Sequence, residues 1–178
     1  MRHFFSLLIL LNFILSSCSS LRHASDNRDR INIADSTINL LTGKYNESAI
    51  DPIRNIETHL AWNIFDWGYN PKSKQDFIEI EAQEDRKIKI SYWDSTTLIK
   101  SKVFKGKFKH GYFIFKRRYL IIPAILVNLY RNRVFRIGLL SNKNLITDYN
   151  QISMGSFYVI LPYLERKKEY GVEFKRID

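Results

Sequence analysis

The sequence predicts a mainly β fold: a small antiparallel β-barrel of about eight strands with one N-terminal helix packed against it. Three observations point there. Short stretches alternate apolar and polar residues with a period of two, as half-buried strands do. Turn formers such as His110-Gly111 and Ser141-Asn142-Lys143-Asn144 separate them. Aromatic residues make up 14% of the chain, and Tyr and Phe favour strands. A hydrophobic content of 45% argues against disorder in the body of the chain, which suits one domain with its own core.

The elements follow in order. Ile38 to Asn46 is the first strand candidate. Asp51-Pro52 then supplies a favoured helix cap and a favoured first helical residue. Ile53, Ile56, Leu60 and Ile64 recur at helical spacing, so a helix is expected to run on until just before Gly68. Trp62, Phe65 and Trp67 either close one end of the barrel or simply pack in the core. Phe77–Ala82 and Arg86–Trp93 alternate, and a loop at Gln83-Glu84-Asp85 places Ile80 opposite Ile88, Glu81 opposite Lys87 and Glu79 opposite Lys89.

Leu98 to Phe108 is extended, with a slip of apolar phase between Ile99 and Phe104 that predicts a bulge. A two-residue turn at His110-Gly111 pairs Phe108 with Phe113 and Gly106 with Phe115, and would set Lys105 against Lys116. Leu120 to Tyr130 is almost wholly apolar around Pro123, which argues against a central strand; a connection or short helix covering the barrel end is expected. Val134–Leu140 and Leu145–Tyr149 form a further hairpin. Phe157–Leu161 follows, then a charged link at Glu165–Glu169 and a last strand at Tyr170–Ile177.

The first residues carry an address. Arg2 and His3 precede an apolar run, Phe4 to Leu15, too short to span a bilayer, which needs about 20 apolar residues. The run ends in Leu15-Ser16-Ser17-Cys18, which resembles the lipobox of bacterial lipoproteins. The resemblance implies cleavage between Ser17 and Cys18 and acylation of Cys18, the sole cysteine. Several acyl chains anchor stably where one is marginal. This divides the chain into a signal peptide (1–17), a lipid-anchored tether (18–36) and a single barrel domain (37–178). Ser19 is not the Asp that retains some bacterial lipoproteins at the inner membrane, so the family rule favours the outer membrane.

Leu41-Thr42-Gly43-Lys44-Tyr45-Asn46 looks like the opening of lipocalin-like small barrels. The pieces Lys105 to Phe113, Ile122-Pro123, Arg136 to Leu139 and Asn144 to Ile146 are similar to a recurrent group of uncharacterised bacterial lipoproteins. That resemblance implies a lipocalin-like barrel and no particular activity.

Chemistry is sparse. His23, His59 and His110 are isolated in sequence, there is no His-Glu-x-x-His or cysteine cluster, and Gly155-Ser156 lacks the setting of a nucleophile elbow. No catalytic residue, metal site or cofactor is assigned. Charge is more informative. The formal net charge is +10, and no acidic residue stands between Asp94 and Asp148. Lys105, Lys107, Lys109, Lys116, Arg117 and Arg118 are therefore candidate anion-binding residues, toward anionic lipid, lipopolysaccharide or an acidic glycan. The alternative is a solvated face whose lysines keep an edge strand from pairing. Nucleic acid is not expected, because export removes most of it from reach and the RNP pattern is not met.

Two functions remain open. A hollow barrel would hold an apolar or anionic envelope ligand among Phe104, Phe108, Phe113 and Phe115. An assembly lipoprotein would instead have a filled interior and meet a protein partner, with an exposed apolar patch near Leu120 to Tyr130.

Overall fold

The computed structural model describes residues 28–65, 76–121, 127–157 and 161–178. The fold is mainly β. Its strands are β1 (Arg30–Ile31), β2 (Gly43–Asn46), β3 (Ser48–Ile50), β4 (Glu57–His59), β5 (Asp76–Gln83) and β6 (Lys87–Asp94). The long ones follow: β7 (Thr97–Lys109), β8 (Tyr112–Ile121), β9 (Val127–Leu140), β10 (Leu145–Phe157) and β11 (Leu161–Phe174). A 3-10 helix covers Asp35–Leu41, and α1 is only Leu60–Phe65. No helix among the described residues is long and apolar enough to cross a membrane.

Eight strands form one curled antiparallel sheet in the order β11-β10-β9-β8-β7-β6-β5-β2, with β1 added to β9 and β3–β4 as a separate hairpin. This is a half-barrel, not the closed barrel the sequence predicts. β2 has four residues, too few to ladder along the fourteen of β11. Among the described residues the two ends of the sheet are joined by one backbone bridge, Tyr45↔Arg176. There Asn46 N donates to Lys175 O at 2.8 Å and Ile177 N to Lys44 O at 2.9 Å. β7 and β8 also part early, pairing only from Gly106↔Phe115 to Lys109↔Tyr112.

Of the helix expected from Asp51 to before Gly68, only the stretch Leu60–Phe65 is helical, with Leu60 and Ile64 buried; its first half is not. Asp51 caps as its residue type predicts, its Oδ1 accepting from Ile53 N at 2.8 Å and Arg54 N at 3.0 Å. Asn55 then takes a left-handed φ of 52°, and Asp51 N bonds back to Ile56 O, so the segment closes as the β3–β4 turn. Ile53, expected on a buried helical face, is 70% exposed. Likewise Asp35–Leu41, partly within the first strand candidate, is 3-10 helix.

Register is correct at one hairpin and shifted at another. Gly106 faces Phe115 and Phe108 faces Phe113 across the His110-Gly111 turn, as the sequence predicts. The anticipated Lys105–Lys116 pair does not form, because the ladder stops at Gly106; Lys105 pairs with Lys87 and Lys116 with Val134. The β7 bulge is present: Trp93 pairs with Leu98 and Tyr92 with Lys100, leaving Ile99 extra. In β5–β6 the faces are as expected, but Ile80 sits opposite Ile90 and Glu81 opposite Lys89. The loop lies one residue later, at Glu84-Asp85-Arg86, where Asp85 and Arg86 both have positive φ.

The charged link at Glu165–Glu169 is strand, part of β11. Pro162 is tolerated there because β11 is an edge. Leu120–Ile121 end β8 and Val127–Tyr130 begin β9; Pro123 lies outside the described residues. The fold also takes in the chain from Arg28, ahead of residue 37: Arg28 Nη2 donates to Gly171 O at 2.7 Å.

The core is aromatic. Phe104, Phe115, Phe135 and Tyr149 form a continuous file across four strands, with successive ring centroids 4.6, 4.9 and 5.0 Å apart. Ile78, Ile80, Ile88, Ile90 and Tyr92, on the neighbouring strands β5 and β6, belong to the same cluster.

Candidate functional site

Polar side chains collect at the gap that the ladder leaves between β2 and β11. The β3–β4 hairpin and α1 fill this gap. Glu47, at the start of the insert, holds α1 in place. Its carboxylate meets His59 Nδ1 at 2.7 Å and accepts from Ala61 N at 3.2 Å. Burial pushes the Glu47 carboxyl above its ordinary range, outweighing the His59 contact.

Glu169, on the core-facing side of β11, is 3% exposed and accepts from four groups. These are Arg54 Nη2 at 2.9 Å, Thr58 Oγ1 at 2.9 Å, Asn63 Nδ2 at 2.7 Å and Lys167 Nζ at 3.0 Å. Arg54 also binds Asp51 Oδ2 at 2.8 Å. Burial acts to raise the Asp51 carboxyl, but the backbone N–H groups of Arg54 and Ile53 and the guanidinium outweigh it and hold the group low. A cleft of about 190 Å³ opens over this cluster, bordered by Ile56, His59 and Trp62. Its carboxylates and cations already serve one another. The arrangement is a clamp that fastens the insert to β11, and nothing in it is set out as a nucleophile with its base. Among the described residues no three His, Cys, Asp or Glu side chains come together to hold a metal ion.

The sequence-predicted cations fall on two sides of the sheet. Lys105, Lys107 and Lys109 share one face of β7, and Lys116 and Arg118 share one face of β8; all five are exposed. Arg117 alternates to the core-facing side, where its Nη1 donates to Ile64 O at 2.6 Å and caps the end of α1. The four phenylalanines do come together, but as packing. Phe104, Phe113 and Phe115 are buried, Phe108 leans on Phe113, and the cleft is elsewhere. Ser17, Cys18 and Trp67 lie outside the described residues, as do residues 122–126 of the expected apolar connection.

Sequence reading missed a polar row inside the sheet. Arg117 pairs with Arg133, Arg133 with Gln151 and Gln151 with Lys167, one residue from each of four successive strands. Gln151 Oε1 accepts from Arg133 Nε at 2.6 Å and from Tyr149 OH at 2.5 Å. The signal is present in β9, where Arg131 and Arg133 continue the two-residue period of Phe135, Ile137 and Leu139.

No protein-family model, curated protein or solved structure matches this chain.

Proposed function

We propose that the chain is an exported lipoprotein, held in a bacterial cell envelope by acyl chains on Cys18. Its half-barrel serves as a non-catalytic module for an anionic envelope ligand. The outer membrane is the favoured address. The ligand chemistry is that of phosphate or carboxylate groups on a surface: lipid headgroups, lipopolysaccharide or an acidic glycan. The observation that carries this reading is the set of exposed cations, Lys105, Lys107, Lys109, Lys116 and Arg118, on neighbouring strands. Each is worth about 1 kcal/mol near an anionic membrane.

The position of the chain's entry supports it. Ser141 N bonds to Asp29 O and Ile33 N to Gly111 O, so the chain joins the fold at the end bearing the His110-Gly111 turn. Lys109 adjoins that turn. Ten residues of lead from Cys18 to Arg28 reach at most about 35 Å, which keeps this end close to an anchoring bilayer.

Two measurements test the two halves. Cells fed a clickable fatty acid should label the wild-type protein and not Cys18→Ala; equal labelling removes the anchor. The purified protein should sediment with phosphatidylglycerol vesicles at low salt, much less at high salt, and weakly after Lys105→Glu, Lys107→Glu and Lys109→Glu together. Binding that ignores both salt and these substitutions defeats the lysine-face reading.

A further inference from the structure

Among the described residues the sheet leaves a second edge unpaired, at the place where β7 and β8 separate. β7 pairs with β6 through Lys105 and beyond, but β8 accompanies it only as far as Gly106. From there β8 runs on with β9 alone. No described strand lies on the second side of β7 residues 97–105. Gly106 N donates to Arg86 O at 2.9 Å. Antiparallel ladders alternate, so Phe104 and Lys102 direct their backbone groups to β6 while Val103 and Ser101 direct theirs outward. All seven residues from Thr97 to Val103 are exposed, including Leu98 at 47%, Ile99 at 45% and Val103 at 46%. Three exposed apolar residues on an unpaired edge is a pairing template that proteins ordinarily cover or blunt.

We infer that this β7 edge docks an extended segment of another protein in which acidic and apolar residues alternate. The backbone groups of Ser101 and Val103 supply the ladder. Charge selects the occupant. Lys100 and Lys102, both exposed, stand on one face of the edge, opposite to that of Val103. No carboxylate occurs between Asp94 and Asp148. A second copy of the chain would set lysine against lysine, which is unfavourable on adjacent strands, whereas a carboxylate in the same place is favourable. The apolar positions of the incoming strand would share the face of Val103.

The full-length protein in neutral-lipid nanodiscs provides the test, with two synthetic ten-residue probes: alternating Glu and Val, and alternating Lys and Val. Fluorescence anisotropy should show the Glu/Val peptide binding at least about tenfold more tightly. Amide exchange should slow at Ser101 and Val103. Val103→Pro removes an N–H that β6 does not use, so it should abolish binding while the melting temperature holds. Lys100→Glu with Lys102→Glu, both exposed, should reverse the preference toward the Lys/Val peptide even if the proline variant misfolds. Equal binding of the two peptides, protection confined to other strands, or unchanged preference after charge reversal would overturn the inference. So would displacement of the peptide by anionic vesicles, which would assign the edge to lipid. Lys107→Glu with Lys109→Glu should weaken vesicle binding and spare the peptide, so the two sites can fail separately.

Discussion

Replacing Glu169 by Ala removes the acceptor shared by Arg54, Thr58, Asn63 and Lys167. Arg54 keeps Asp51 and Lys167 keeps Asn63 Oδ1, and both side chains are about a third exposed, so their loss is softened by water. Thr58 and Asn63 are buried at 5% and 4% exposure. Each stranded buried polar group costs about 1–3 kcal/mol. The expected loss is therefore about 3–4 kcal/mol, a large share of the roughly 5–15 kcal/mol of an ordinary domain. The melting temperature should fall by about 10 °C for a domain of this size. Urea unfolding followed by tryptophan fluorescence reads the loss, with an unchanged m-value showing that the same surface unfolds. Because the clamp fastens the insert, amide exchange should quicken over Ser48–Phe65 and stay slow in β9 and β10. Glu169→Leu with Thr58→Val and Asn63→Leu, which removes donors along with acceptor, should recover much of the stability. A Glu169→Ala loss under 1 kcal/mol, or exchange that rises evenly over the sheet, would refute the clamp.

Other consequences can be measured in the same assays. A Cβ on Gly106 would lie 2.4 Å from Phe113 Cζ and 2.7 Å from Ile114 O, so Gly106→Ala should cost about 1–3 kcal/mol by overpacking, and Phe113→Leu should relieve part of it. Asp148→Asn breaks a buried pair with Arg136 at 2.7 Å and should cost about 3–5 kcal/mol, more than Asp148→Leu combined with Arg136→Met. Asp51 and Glu173 carboxyls are held low, Glu173 first by Asn144, so their contribution is complete above the ordinary carboxylate pKa of about 4 and disappears as pH falls through their folded values. Asp51→Asn should therefore flatten the acid limb of stability. Glu47 is raised, chiefly by burial, and works oppositely: wild type gains stability as pH falls through its folded value toward the ordinary carboxylate range, so Glu47→Gln should lose ground against it on the acid side.

Legibility tracked how local the determining interactions are. The Gly106–Phe115 register was readable because a two-residue turn with a glycine fixes pairing on both sides of it. The β5–β6 faces were readable from alternation, but the register depended on whether Gln83 or Arg86 joined the loop, and backbone dihedrals decided that. Asp51-Pro52 and the spacing of Ile53 to Ile64 look helical in one dimension. The segment became a hairpin because Glu47, at its threshold, and Glu169, far along the chain, both bond to that shape. The first part of β11 was hidden because Glu165, Lys167 and Glu169 occupy positions where apolar residues would advertise a strand, while its end from Tyr170 was legible. The Glu169 cluster was likewise invisible: its members span residues 54 to 169 and only the fold assembles them.

The meeting of β2 with β11 has a mechanical consequence. Most of the wall is stitched by continuous backbone bonding, which yields only when strands separate. Among the described residues this line is held by a single backbone bridge and by polar and ionised side chains, so it is a natural tear line of the domain. Titration or strong salt acts on that line before it acts on the aromatic file. Loosening there would free the insert and leave the sheet standing, so the first partial opening of this protein should be a local event with the chemistry of an ion pair.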